Sequence, residues 1–213
     1  MQATNLRVPA LIVTILAGIM CAATVIAGLS LTIWLVSYTQ MVESPVMLAV
    51  TGIASLVSYV IALPSIIAVL VWVYMAHSNL HRAGLPGLNY SAGWATFSFL
   101  VPIANLFVPY RAMRELANRS AGEPEELAEA DVDEVFSWWG CWIGGFVISL
   151  FLLYTVVVAL TPGIWMTTPF WATQVLLILS NILTAGSAWF LIKVVRLITT
   201  SQQEGASAVA AFE

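Results

Sequence analysis

The chain has 213 residues, of which 61% are hydrophobic and only 8% are Asp, Glu, Lys or Arg. Soluble domains contain about 45–50% apolar and about 25% charged residues, so this composition excludes a soluble enzyme, and it equally excludes an intrinsically disordered protein. The net charge of −4, from 7 basic and 11 acidic residues, argues against binding to nucleic acid. The composition predicts an integral membrane protein in contact with the lipid bilayer.

Four uncharged stretches are long enough to cross a bilayer, which takes about 20 residues of helix. They cover residues 8–38, 46–76, 136–160 and 170–192. Transmembrane strands would alternate apolar with polar residues, whereas these stretches are apolar at odd and even positions alike. The pattern therefore predicts an all-α fold, an integral membrane four-helix bundle.

A shorter apolar stretch between the second and third spans does not fit a crossing. Gly93 to Val108 has 16 residues, which rise only about 24 Å as a helix and so fall short of the hydrocarbon core. Pro102 removes a backbone donor inside it, Asn105 follows, and Pro109 closes it. We expect a cytoplasmic-side segment that is either re-entrant or lies in the membrane interface.

The distribution of cations favours four crossings over five. With four crossings all 7 basic residues fall on one side and only Glu43 faces the other, whereas five crossings split the basic residues five to two. Loops rich in Lys and Arg are cytoplasmic, so we expect a multi-pass protein of the bacterial inner membrane with both termini in the cytoplasm. The predicted parts are a helix pair (1–76), a cytoplasmic module (77–135) with a membrane-dipping segment (93–109) and an acidic linker (123–134), a second helix pair (136–196) and a tail (197–213).

The stretch from Trp72 to Ser120 carries a string of motifs. They are Asn79-Leu80, Gly93-Trp94-Ala95, Pro102-Ile103-Ala104-Asn105-Leu106, Pro109-Tyr110 and Met113-Arg114-Glu115-Leu116. This string resembles that of the bacterial multi-spanning membrane proteins grouped as domain of unknown function 4328. The resemblance implies a multi-pass bacterial membrane protein. It supplies no catalytic or cofactor-binding residues, because the family is defined without an activity.

Two histidines stand four residues apart at the end of the second span, so that both could face one direction and bind a metal ion or haem. These are His77 and His81, and the sequence has no third histidine. Glu115 could complete a site only if the fold delivers it, and histidine is an ordinary residue at the level of the headgroups. We therefore predict no cofactor and no metal, and a haem or metal site at this pair is a weaker alternative.

Seven acidic residues fall between positions 123 and 134, after three arginines at 111, 114 and 119. They could capture cations or dock a basic partner. The favoured interpretation is a solvated linker whose acids balance the arginines. Arg111 and Glu115 are four residues apart, a spacing that allows an ion pair on a helix.

Small residues recur at four-residue steps, which allows helices to pack closely in lipid. The predicted packing residues are Gly18 and Ala22 in the first span, Ala54 and Ser58 in the second, and the GxxxG pair Gly140 and Gly144 in the third. Three such faces on four helices leave room for a protein partner or a homo-oligomer within the membrane.

No catalytic motif occurs in the sequence, and no ionisable residue lies at mid-membrane. We therefore predict a non-enzymatic accessory or scaffold subunit of a membrane complex. The alternative is a small transporter or channel-like protein gated by the Pro102–Pro109 element. In that hypothesis a water-filled path reaches neutral polar groups such as Asn105 or Asn181.

Overall fold

The computed structural model describes residues 4–37, 45–161 and 168–210, with side chains as far as residue 205. The helices are α1 (Arg7–Val36), α2 (Pro45–Arg82), α3 (Ala92–Phe97), α4 (Val108–Ser120), α5 (Asp133–Ala159) and α6 (Phe170–Ala210). Four of them, α1, α2, α5 and α6, are long and apolar enough to cross a membrane. The described residues contain no strand, so the predicted all-α membrane fold is confirmed. Glu43 and the predicted end of the first span at residue 38 lie outside the described residues.

Two of the long helices continue past the ends that hydropathy predicts, at residues 76 and 192. α2 has 38 residues and α6 has 41, so at 1.5 Å per residue they are about 57 and 61 Å long, against a hydrocarbon core of about 30 Å. α6 therefore continues through most of the predicted tail. Hydropathy marks where hydrocarbon ends, whereas the helix continues because residues such as Ile198 and Thr199 are buried against other elements.

The long helices form an open row in the order α2, α1, α6, α5. α1 packs along both α2 and α6, and α6 also packs along α5. In the most apolar window of each helix, 33% of the residues are buried in α1 but only 11% in α2 and in α5. On α2 the predicted packing residue Ala54 is buried, and the hydroxyl of half-buried Ser58 donates to its carbonyl at 2.9 Å. The central helix is thus α1, and α2 and α5 are peripheral.

The packing face of α1 differs from the predicted one. Val13, Ala17 and Thr24 are buried, whereas Ala22 is exposed and no atom lies within 4 Å of a Cβ built on Gly18. The prediction of Gly18 and Ala22 as packing residues within the chain is wrong. An α-helix repeats every 3.6 residues, so the buried stripe advances by threes and fours, and a strict four-residue series drifts away from it.

Of the two glycines predicted as a GxxxG pair, only Gly144 lies where α5 and α6 approach closely. A Cβ on Gly144 would lie 3.1 Å from Leu183, but one on Gly140 would have no atom within 4 Å. A second close contact between these helices involves a glycine of α6. A Cβ on Gly186 would lie 3.0 Å from the sulfur of Cys141 on α5. The prediction for Gly144 agrees with this contact, and the one for Gly140 is wrong within this chain because Gly140 is on the exposed face of α5.

Residues 92–107, here called the re-entrant segment, run back along α2 and then return. Ser91 caps α3 by accepting the backbone N–H of Trp94, and two short 3₁₀ turns, Ser98–Leu100 and Ala104–Leu106, follow. Phe99 reaches the level of Val69 on α2. α4 then leads the chain back, with Pro109 in its first turn, where the missing N–H of proline has no consequence. The segment reverses direction without crossing the bundle.

The largest buried cluster lies at the end of the bundle that carries the basic residues. There α4 packs beneath the long helices, and Trp72, Met113, Leu116, Val194 and Ile198 are fully buried. Aromatic and aliphatic side chains of this size contribute about 1.5–3 kcal/mol each when they are buried from water. This end of the bundle, with α4 and the buried cluster, is called the base of the molecule. It holds the polar residues that are described next.

Candidate functional site

Glu115 is a fully buried acid on the inner face of α4. Its carboxylate accepts the backbone N–H of Asn89 at 2.7 Å and that of Tyr90 at 3.2 Å. Burial raises the pKa of Glu115, and the two N–H groups oppose this shift. The ion pair that the spacing from Arg111 allows is not what binds Glu115, because Arg111 is exposed while Glu115 points inward. Glu115 therefore fixes the loop that precedes the re-entrant segment.

The acidic linker is bound to α4 through its backbone. The side-chain amide of Asn118, itself buried, donates to the carbonyls of Ala128 at 3.1 Å and Ala130 at 2.9 Å. Arg114 forms an ion pair with Asp131 at 2.8 Å. All of the linker's acidic residues except half-buried Glu134 are exposed, whereas the chain that carries them is bound to α4 rather than solvated.

Arg119 ties the start of the same linker to the loop after α2. Its guanidinium donates to the carbonyls of Pro86, at 2.8 Å, and Glu123. Gly87 adopts φ of +69°, and a Cβ there would collide with the side chain of Glu125. The left-handed backbone conformation is what favours glycine here, since the exposed side chain of Glu125 can move aside.

A second polar cluster, the N-terminal clamp, joins the beginning of the chain to α2 and α6. Asn79 accepts the backbone N–H of Thr4 at 2.8 Å and donates to its carbonyl at 2.9 Å. Asn79 also donates to Gln202 at 3.1 Å, and Gln202 donates to the carbonyl of Ala76 and the hydroxyl of Ser120. These bonds leave the amide of Asn79 fully used, so the cluster serves to hold elements together.

The two histidines do not form a shared ligand site. Nδ1 of His77, which is buried, donates to the carbonyl of Val73 at 3.1 Å, and Nε2 of exposed His81 donates to the carbonyl of Tyr90 at 3.0 Å. Within the described residues, no three His, Cys, Asp or Glu side chains come together as metal ligands. Each histidine thus binds a backbone carbonyl through one of its two ring nitrogens.

A cavity of about 330 Å³ lies between the two peripheral helices, α2 and α5. All four long helices contribute to its walls, and Phe99 of the re-entrant segment contributes from below. Ile66 of α2 and Phe146 of α5 line it and are 52% and 39% exposed, so it opens sideways between these helices. The volume is at the lower end of the range of about 300–1,000 Å³ for ligand sites.

The chemistry of the cavity lining is apolar. The hydroxyls of Ser65, Ser149 and Thr184 donate to carbonyls four residues earlier in their own helices, at 2.7, 2.8 and 2.8 Å. None of the described residues around the cavity carries a formal charge. The lining is thus mostly hydrocarbon and aromatic ring, and these three hydroxyls are already bound within their own helices.

The motif residues singled out in the sequence fall into two groups. Those that organise the base of the molecule are buried or bound in it: Asn79, Leu80, Pro109, Arg114 and Glu115. Those in the re-entrant segment lie at its surface or half-buried at its turn: Gly93, Trp94, Pro102, Asn105 and Leu106. The motif therefore describes a folded module, in which Asn79 and Glu115 bind the backbone of the chain itself.

A protein-family model includes this module. The model described as Domain of unknown function (DUF4328) matches residues 41–200, well over half of the chain. The chain belongs to this family. No curated protein and no solved structure matches it. The match extends from just before α2 into α6 and so includes Asn79, Glu115 and the cavity residue Phe99. Thr4 and Gln202, which complete the clamp in this DUF4328 protein, lie outside the match.

Several residues of the site were missed by sequence reasoning. Asn118 and Arg119 bind carbonyls of the linker, and Phe99 and Ser65 line the cavity from different helices. Asn118 carried a usable signal, since a buried polar residue on the inner face of an amphipathic helix requires a partner. The cavity carried none, because its residues come from all four long helices and meet only in the folded chain.

Proposed function

We propose that this chain is a non-enzymatic accessory or scaffold subunit of a bacterial inner-membrane complex, and that its peripheral helices contact the other subunits. The observation that carries the proposal is the open row. α2 and α5 each pack along only one of the other long helices, whereas a helix in a closed four-helix bundle packs along two. Two long apolar faces are thus available to helices of another protein.

Small residues on α2 and α5 that do not pack within the chain also support the proposal. Gly52 on α2 and Gly140 on α5 each have no atom of the described chain within 4 Å of a Cβ position. Small residues on the outside of a membrane helix allow a second helix to approach closely, and close packing drives association in lipid. The faces that carry these glycines are therefore the expected contact surfaces.

The orientation we propose places the base of the molecule in the cytoplasm. All basic residues lie at that end, and Lys and Arg are concentrated in cytoplasmic loops. The exposed apolar side chains of the re-entrant segment, Phe97, Leu100, Ile103 and Phe107, would then lie in the inner leaflet.

The transporter hypothesis is less favoured by the same geometry. Neither Asn105 nor Asn181 is among the residues that line the cavity, and three of its hydroxyls already donate to their own helices. A polar solute in the cavity would find few hydrogen-bonding groups to replace the water molecules that it loses. The haem or metal hypothesis is also less favoured, because within the described residues no third His, Cys, Asp or Glu joins His77 and His81 as a ligand.

The proposal is tested by extracting the full-length tagged protein from its native membrane in lipid nanodiscs and measuring intact masses. We expect masses greater than that of one chain, and loss of the additional mass on Gly140→Leu. Gly205→Leu, at an equally open glycine on the part of α6 beyond the predicted span, is the matched control and should retain it. A single chain of wild-type mass, with lipid alone, would contradict the proposal.

A further inference from the structure

We propose that the cavity between α2 and α5 is a binding site for one acyl chain of a membrane lipid, taken from the leaflet at the basic end of the protein. The inference is independent of the proposed subunit role, since it concerns the interior of a single chain. It depends on the position of the cavity, the chemistry of its lining and the direction in which it opens.

The position of the cavity places it within one leaflet. Its α5 wall begins at Trp138, soon after the start of α5 at Asp133, and its α2 wall ends at Leu70, shortly before Tyr74, which is half exposed. Tryptophan and tyrosine are enriched at the level of the lipid headgroups. The space beside them, toward the middle of the membrane, is where the first part of an acyl chain of that leaflet lies.

The route into the cavity is lateral. Below it, Phe99 and Trp138 lie with ring centroids 6.4 Å apart and separate it from the aqueous end of the base. To the side, Ile66 on α2 and Phe146 on α5 are partly exposed at the outer surface of the protein. In a bilayer that surface faces hydrocarbon, so the medium that can enter is lipid.

The lining consists mostly of hydrocarbon and aromatic rings. One wall is formed by the parallel rings of Trp142 and Phe146, whose centroids are 5.5 Å apart and whose planes differ by 5°. The hydroxyls of Ser65, Ser149 and Thr184 in the other walls donate to their own helices. Atoms that line an empty space lose dispersion contacts on the empty side. A dry cavity that opens into lipid is therefore filled by the lipid.

The size of the cavity distinguishes an acyl chain from a helix of another protein. A helix with its side chains is about 10–12 Å in diameter, far wider than a space of about 330 Å³ allows along its length. An extended or gently bent hydrocarbon chain is narrow enough to enter between Ile66 and Phe146. The observations therefore favour a lipid chain over a protein segment.

The test uses the full-length protein in nanodiscs of phosphatidylcholine that contain a small fraction of phosphatidylcholine with a diazirine in its acyl chain. After illumination, labelled positions are mapped by mass spectrometry. Leu191 lines the cavity and is half-buried, whereas Leu56 is well exposed on the outer face of α2. If the cavity holds a chain, Leu191 is labelled more than Leu56. Contact with bulk lipid alone gives the opposite order.

Filling the cavity supplies the second arm of the test. Ser65→Phe places a ring in the cavity and should reduce labelling of Leu191 about tenfold, because a close-packed interior leaves no room for a second occupant. Leu63→Phe, on the exposed face of the same helix, is the matched control and should change nothing. If Ser65→Phe does not fold, Ser149→Phe fills the cavity from α5, with Val147→Phe as its control. Labelling of Leu191 that never exceeds that of Leu56, or that survives filling in a folded variant, overturns the proposal.

Discussion

The carboxylate of Glu115 accepts the backbone N–H of Asn89 at 2.7 Å, across 26 residues of sequence. This bond joins α4 to the loop that leaves α2, so the two ends of the re-entrant segment are held at one place. The segment can therefore extend along the helices and return without being a span of its own. The position of Phe99 beneath the cavity depends on that anchor.

Glu115→Gln should lower the free energy of unfolding by about 1–3 kcal/mol, because the amide keeps one acceptor oxygen and leaves a buried N–H without a partner. Thermal unfolding of the protein in nanodiscs measures this loss. Glu126→Gln, at an exposed position of the acidic linker, is the control and should differ from the wild type by less than about 0.5 kcal/mol. Equal stability of the two variants would show that the bond to Asn89 has little effect.

The stability of the wild type should fall as the pH rises through the raised pKa of Glu115. Burial raises this pKa above its ordinary value of 4.5, so the folded state binds the proton more tightly than the unfolded state does. The resulting stability is fully present below pH 4.5 and is lost as the pH rises through the folded pKa. The difference in stability between the wild type and Glu115→Gln should therefore shrink as the pH rises. A difference that grows across this range would mean that the ionised carboxylate is the favoured form.

Asn118→Ala should release the acidic linker from α4. The change removes the two hydrogen bonds to the carbonyls of Ala128 and Ala130, with an expected loss of about 1–3 kcal/mol. Limited proteolysis between residues 123 and 134 should become faster, while cleavage elsewhere is unchanged. Glu129→Ala, an exposed change within the linker, is the control. If both variants resist the protease as the wild type does, other contacts hold the linker.

Gly186→Leu should destabilise the crossing of α5 and α6, and Gly140→Leu should not. A Cβ at Gly186 would already lie 3.0 Å from the sulfur of Cys141, so a larger side chain overpacks the crossing at a cost of about 1–3 kcal/mol. Unfolding in nanodiscs is again the measurement. Cys141→Ala should restore part of the stability lost in Gly186→Leu, since residues in contact are not additive. Equal losses at Gly140 and Gly186 would favour the GxxxG arrangement that the sequence suggested.

A cysteine at Ile103 should be protected from water by the bilayer. Ile103 is 77% exposed at the turn of the re-entrant segment, so it either faces lipid or faces solvent. In a background without Cys21 and Cys141, Ile103→Cys in nanodiscs should react with a water-soluble maleimide about tenfold more slowly than Glu126→Cys, because the reactive thiolate is disfavoured in hydrocarbon. The two should react alike once the lipid is replaced by denaturant. Equal rates in the nanodisc would place the segment outside the membrane.

The sequence predicts the elements of the base better than their contacts. The turn near Pro102 and the start of α4 at Val108, with Pro109 in its first turn, agree with what proline does to a helix. Glu115 was singled out from a motif, but its partner was sought on the same helix, at Arg111. The actual partner, Asn89, belongs to a loop that only the folded chain brings to α4.

The membrane character, the four spans and the shortness of the segment after Gly93 were determined by the sequence alone, because the length of an apolar stretch and the sign of its flanking charges are local properties. The order of the helices, the choice of Gly186 over Gly140 at a crossing and the cavity beside Ile66 were decided only by the tertiary structure. Lipid is as apolar as the interior of a protein, so the faces of a membrane helix that meet protein and lipid carry similar residues. The rotation of each helix about its axis is then set by packing between surfaces that are distant in sequence.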